Sequence, residues 1–273
     1  MNRNTSTISK EDVASPLRGR SLFKKVPEVM FFFWIIKIMA TTVGETAADF
    51  LNDNLNLGLT NTTLIMSAFL LITLIIQFRA SIYVPWIYWL SVVLISIVGT
   101  LITDNLTDNF GVPLQISTIL FTILLVTCFI AWYASEKTLS IHSIFTFKRE
   151  VFYWLAILFT FALGTAAGDL IAEALNFGYL ISMLLFAALI GGVAFAHYSF
   201  KLNAVLSFWI AYILTRPFGA SFGDYLSQPR DEGGLELGTT GTSILFLIII
   251  VGLVVYLTIT RKEETTILDE SGM

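Results

Sequence analysis

Hydrophobic residues come in eight long runs, near 28–48, 61–78, 83–103, 113–133, 151–171, 179–197, 203–223 and 242–260. Each approaches the roughly 20 residues that an apolar helix needs to cross a bilayer. None alternates polar and apolar positions as a barrel strand would, so the backbone of each run must satisfy itself as a helix. The pattern predicts an all-α polytopic membrane protein with eight transmembrane helices.

A sparser polar pattern is superimposed on the apolar one. Trp34, Trp89, Trp154 and Trp209 are each followed ten residues later by a glycine (Gly44, Gly99, Gly164, Gly219) and fifteen residues later by an aspartate (Asp49, Asp104, Asp169, Asp224). The tryptophans are spaced by 55, 65 and 55 residues, and LNLG at 55–58 recurs as LNFG at 175–178. This predicts a helical hairpin present four times, about 26–80, 81–136, 146–200 and 201–260. Two spans per unit send every copy into the membrane in the same direction, giving parallel repeats about a pseudo-symmetric axis along the membrane normal.

Stretches such as KVPEVMFFFWIIKIMATTVGETAADFLN and FYWLAILFTFALGTAAGDL resemble a bacterial integral membrane protein family of unknown function, built from four tandem two-helix repeats with a characteristic tryptophan. The resemblance spans roughly residues 26–260. It implies the eight-span fold and brings little established chemistry, so function has to be argued from the residues.

At about 100° per residue, the tryptophan and the positions 7, 11 and 15 further on share an arc of about 80°. That stripe reads Trp34, Thr41, Glu45, Asp49; Trp89, Ser96, Thr100, Asp104; Trp154, Phe161, Thr165, Asp169; and Trp209, Arg216, Ala220, Asp224. Polar faces of spanning helices turn toward the bundle interior, so the four odd-numbered helices are expected inside and the plainer even-numbered ones outside. Beside the stripe, Gly44, Gly99, Gly164, Gly168, Gly219 and Gly223 read as devices for close helix packing. The sequence leaves open whether the axis is a pore or a packed core.

Asp49, Asp104, Asp169 and Asp224, with Glu45 one turn below, then form a candidate cation-binding ring in the outer half of the bundle. Thr41, Thr100, Thr165 and Asn105 would add polar lining, and Lys37 and Arg216 would neutralise part of the charge. So many carboxylates together require a cation or protons. An all-oxygen set suits Mn²⁺, Mg²⁺ or Ca²⁺, and a divalent cation could bind there with no cofactor required. The aspartates could instead be loop-facing helix caps. The tryptophans read equally as an aromatic belt at the membrane interface. Asp53, Asp108, Glu173, Asp231, Glu232 and Glu236 read as solvated loop charge, and Pro217 as a break in the seventh helix that would serve as a hinge.

Composition and charge narrow the rest. Of 273 residues, 56% are hydrophobic and 13% charged, against roughly 25% charged in soluble domains, and mean hydropathy is +0.78. The net charge of −4 offers no footprint for nucleic acid. Thirteen lysines and arginines lie on the side of the termini against Arg230 alone opposite, which by the positive-inside rule puts both termini in the cytoplasm. Residues 1–25 read as a disordered cytoplasmic tail with no cleaved signal, and 261–273 as a second tail. Cys128 alone excludes a disulfide framework, and His142 and His197, at the cytoplasmic helix ends, argue against a zinc or copper site. No Walker, HExxH or nucleophile–base constellation is present, so no enzyme is expected. The reading is an inner-membrane cation transporter, most readily for a divalent metal and with protons as the other candidate species. A permease for a small cationic organic solute, with the tryptophans as an aromatic box, and a non-transporting scaffold stand as alternatives. The partners expected are the bilayer and the transported metal cation or proton, with a homo-oligomer as a further candidate and no nucleic acid.

Overall fold

The computed structural model describes residues 25–55 and 57–260. Among them are eight long helices and no strand: α1 (Phe31–Asp49), α2 (Leu59–Arg79), α3 (Pro85–Asp104), α4 (Leu114–Glu136), α5 (Phe147–Asp169), α6 (Tyr179–Phe200), α7 (Ala204–Ser227) and α8 (Thr239–Thr260). All eight are long and apolar enough to cross a membrane, so the chain is a multi-pass membrane protein. The expected tails, 1–25 and 261–273, lie outside the described residues except for Lys25.

Local chemistry sets the helix ends. The Thr146 hydroxyl accepts from the Arg149 amide at 3.3 Å, capping α5 four residues earlier than the apolar run suggests. Asn203 caps α7 by accepting from the amides of Val205 and Leu206. The repeated Leu-Asn-x-Gly is explained by its last residue: Gly58 and Gly178, each immediately before an outer helix, both sit at φ +75°. That conformation suits a residue without Cβ.

One feature was not expected. Directly after Asp49, Asp104 and Asp169 the helices widen into single π turns, Phe50–Asn54, Asn105–Asn109 and Leu170–Ala174. Such turns inside helices frequently mark functional positions. The fourth repeat has none; α7 stays α-helical to Ser227, running unbroken through Pro217. The expected break at that proline is therefore absent.

The odd helices are inside, as the polar stripe predicts. They form a closed ring in which α1 packs on α3, α3 on α5, α5 on α7 and α7 on α1. The even helices lie outside, but not as hairpins with their own partners. Instead α2 packs along α3, α4 along α5, α6 along α7, and α8 closes the circle on α1. Each outer helix thus belongs to one repeat and rests on the next.

The ring interlocks through four equivalent contacts. A Cβ on Gly44 would strike the side chain of Ser96, on Gly99 that of Phe161, on Gly164 that of Arg216, and on Gly219 that of Thr41. In every case the glycine ten residues after the tryptophan receives the residue seven after the next one. Gly223 is crowded less tightly, by the Thr42 carbonyl at 3.2 Å, whereas Gly168 has only ordinary contact, 3.7 Å from Pro217. Gly168 is thus not the close-packing device the sequence suggested.

Toward the end of the bundle that carries Phe31 and Thr260, here the terminal end, the axis is filled by aromatic rings. Phe33 meets Trp89, Phe208 and Tyr212 at 5.6, 6.1 and 6.3 Å, and the Tyr88 and Tyr153 hydroxyls bond to each other. The axis is a packed core at this level. Trp89, Trp154 and Trp209 are buried in it, while Trp34 is half-buried. Trp89, Trp154 and Trp209 therefore pack inside the bundle and do not form a lipid-facing belt, and Trp34 packs against Phe33 and Phe208.

Lys25, expected in a disordered tail, is part of the fold. Its ammonium donates to Glu150 at 2.8 Å and to the Phe78 carbonyl at 3.1 Å, and Gln77 donates to the other Glu150 oxygen at 3.1 Å. Residues 25–30 consequently run from the start of α5 to the start of α1, helices on opposite sides of the ring, and Val26 is buried in the core.

Candidate functional site

At the opposite end, here the acidic end, the ring opens into a cavity of about 270 Å³. Its walls include Glu45, Asp49, Asp104, Asp169 and Asp224, so the structure brings together all five sequence-predicted carboxylates. Glu45 and Asp224 are buried and the other three half-buried. They reach one cavity because the same register on four parallel helices repeats both direction and depth.

Three of the five converge further. Glu45, Asp169 and Asp224 each place a carboxylate oxygen within 4.8 Å of the other two. Metal–oxygen bonds of roughly 2.0–2.6 Å let two oxygens across one ion stand up to about 5 Å apart, so these side chains fit a hard cation between them. Asp104 lines the same cavity from α3 without joining the triad.

Behind Glu45, out of the cavity lining, stands a cation of the protein itself. Arg216, fully buried, donates from Nη2 to Glu45 at 2.7 Å, to Thr165 at 2.5 Å and to Thr100. One residue from each repeat therefore meets on the axis. Arg216 stands seven residues after its tryptophan and the others eleven after theirs; it extends up by one turn into the place left by the small Ala220. The threonine hydroxyls give their own protons to carbonyls one turn back, Thr100 to Ser96 and Thr165 to Phe161, and so offer lone pairs to the guanidinium. Nε and Nη1 of Arg216 find no hydrogen-bond partner among the described residues.

Other sequence-predicted lining residues are placed elsewhere. Lys37 is fully buried, but its ammonium lies 4.2 Å from the centroids of both Phe161 and Tyr212 and pairs with no carboxylate among the described residues. Thr41 is packed against Gly219 and donates to the carbonyls of Ile38 and Thr215, below the cavity. Asn105 turns outward, donating to Thr63 of α2 at 2.7 Å and to the Leu101 carbonyl at 2.8 Å. Its position beside Asp104 in sequence puts it about 100° round the helix, away from the axis.

Conversely, Asp108 and Glu173, read as loop charge, line the mouth with Asn52, Thr107 and Gln228. The signal was available: Asp108, Glu173 and Gln228 each stand four residues after a repeated aspartate and continue its stripe by one turn. Glu236, by contrast, is exposed and lies 3.5 Å from Arg230. His142 and His197 lie toward the terminal end as expected and line a separate, mainly apolar cavity of about 480 Å³ against Trp34 and Phe208. No signal short of the tertiary structure pointed to the buried Lys25–Glu150–Gln77 cluster.

The chain matches the family model described as Repeat of Unknown Function (DUF347), four times in tandem over residues 32–83, 87–138, 152–203 and 207–263. Each matched segment contains one inner and one outer helix. No curated protein and no solved structure matches the chain.

Proposed function

We propose, from the premise that the chain belongs to this four-repeat family of unknown function, that it is a cation transporter whose binding site is the carboxylate cavity. The observation that carries the reading is the convergence of Glu45, Asp169 and Asp224 from three repeats, within 4.8 Å of one another inside an apolar bundle. Burying carboxylates costs several kcal/mol, and a cation that they share offsets it. The hard oxygen donors favour a divalent ion of the Mn²⁺, Mg²⁺ or Ca²⁺ type over a soft metal. Asp108 and Glu173 at the mouth would raise the local cation concentration. Below the site, Arg216 and the aromatic layer keep the axis shut, which makes this an outward-facing, occluded-below state of an alternating-access carrier. The excess of Lys and Arg at the terminal end supports placing the termini in the cytoplasm of a bacterial inner membrane.

The organic-cation reading gains less support. The tryptophans stand fifteen residues from the aspartates, about 22 Å along the helices, too far for one small solute to touch both. The test is flux of Mn²⁺, Mg²⁺, Ca²⁺, Co²⁺ and Na⁺ into proteoliposomes with a pH dye inside, for the wild type and Asp169→Asn. Selective flux lost in the variant supports the reading. Absence of flux for every cation, in folded and oriented protein, overturns it.

A further inference from the structure

Glu45 faces two ways: it contributes an oxygen to the triad, and it is held by the guanidinium of Arg216 at 2.7 Å. Any cation entering between Glu45, Asp169 and Asp224 competes with that guanidinium for the same carboxylate. We propose that Arg216 is a tethered competitor, a built-in cation that occupies Glu45 when the cavity is empty and is displaced when an ion binds. The inference rests on the cation-site reading above and deepens it by naming what sets affinity and couples binding to the arginine behind the cavity.

Four observations support a guanidinium that can move. Among the described residues only Nη2 is engaged in hydrogen bonds, while Nε and Nη1 are buried without partners, so the side chain is incompletely tied. Across from it α5 presents no side chain at Gly164, which packs against Cβ and Cγ of Arg216 and so holds the stem of the side chain without gripping the guanidinium beyond it. One turn toward the terminal end on the same helix, the buried Tyr212 hydroxyl has no partner among the described residues and can accept from a retracted guanidinium. Finally, Lys37 shares the Phe161 ring with Arg216, at 4.2 and 5.8 Å from its centroid, and lies over Tyr212. A divalent ion, with twice the charge of the guanidinium, is the class best able to win the exchange.

The test measures Mn²⁺ binding to the full chain in nanodiscs by electron paramagnetic resonance. Arg216→Gln is expected to bind Mn²⁺ about tenfold tighter or more than wild type, the worth of one charge-assisted bond released from Glu45. Arg216→Lys, which keeps the charge but cannot reach the three acceptors together, is expected to bind more tightly than wild type as well, which a fixed background charge would not produce. Added guanidinium should weaken Mn²⁺ binding to Arg216→Gln competitively. Thr165→Val, a near-isosteric change that loosens the clamp and leaves the arginine in place, guards against loss of fold and should tighten binding to a smaller degree. Tighter binding in both arginine variants, with a smaller gain in Thr165→Val, supports the proposal. Binding by wild type with equal or weaker affinity in both arginine variants overturns it while leaving the cation site intact. No binding by any form overturns both.

Discussion

Gly164 on α5 lies against Cβ and Cγ of Arg216 on α7, so closely that no side chain fits between them. The same relationship joins Gly44 to Ser96, Gly99 to Phe161 and Gly219 to Thr41, and the glycine therefore sets the helix spacing and, at Gly164, the position of the arginine stem. Gly164→Ala should destabilise the detergent-solubilised protein by about 1–3 kcal/mol through overpacking. Gly168→Ala, where the nearest atom is 3.7 Å away, should be near neutral. Thermal unfolding of the two variants checks this, and the reverse ranking would refute the interlock.

The buried Lys25–Glu150 pair ties the segment before α1 across the ring. Glu150→Ala leaves an ammonium without its carboxylate and should cost about 3–5 kcal/mol, whereas adding Lys25→Met to it should restore part of the loss. Denaturant unfolding of both variants reads this; equal stability of wild type and Glu150→Ala would show that the pair contributes nothing.

Among the carboxylates, those in the triad should matter most. Asp169→Asn and Asp224→Asn should each weaken Mn²⁺ binding by tenfold or so, about 1.4 kcal/mol. Asp104→Asn should have a smaller effect, and Asp231→Asn, exposed in the loop after α7, none. Asn105→Ala should lower stability without changing affinity, because its bonds go to α2. Uniform losses across these positions would point to net charge and not to a defined site.

The repeated tryptophans should be structural. Trp209 donates from Nε1 to the Leu139 carbonyl at 2.8 Å, holding the α4–α5 connection over the ring, and Trp209→Phe should cost about 1 kcal/mol for that bond. Cation flux per folded molecule should persist in all four Trp→Phe variants. Selective loss of flux at normal stability would revive the aromatic-box reading.

Orientation can be read from single cysteines in a Cys128→Ser background. Asp231→Cys, at the acidic end, should react with an impermeant maleimide in intact cells, and Ser199→Cys, at the terminal end, only after permeabilisation. The opposite pattern would invert the assignment of the termini.

Hydropathy and register together determined the eight spans, the four repeats and the inward stripe that gathers Glu45 and the four aspartates. These are legible in the chain because span length and helical phase depend on residues close in sequence, and repetition carries one phase through four copies. What only the tertiary structure decided is which group each polar side chain meets. Arg216 takes Glu45 and Lys37 takes two aromatic rings because partners come from helices of other repeats, offset by a turn, and no spacing along one chain encodes that offset. The same holds for Asn105 turning to α2, for outer helices resting on the following repeat, and for Lys25 closing on Glu150. Each depends on how the ring closes, and closure is set by glycine contacts between residues 52 or more apart in sequence.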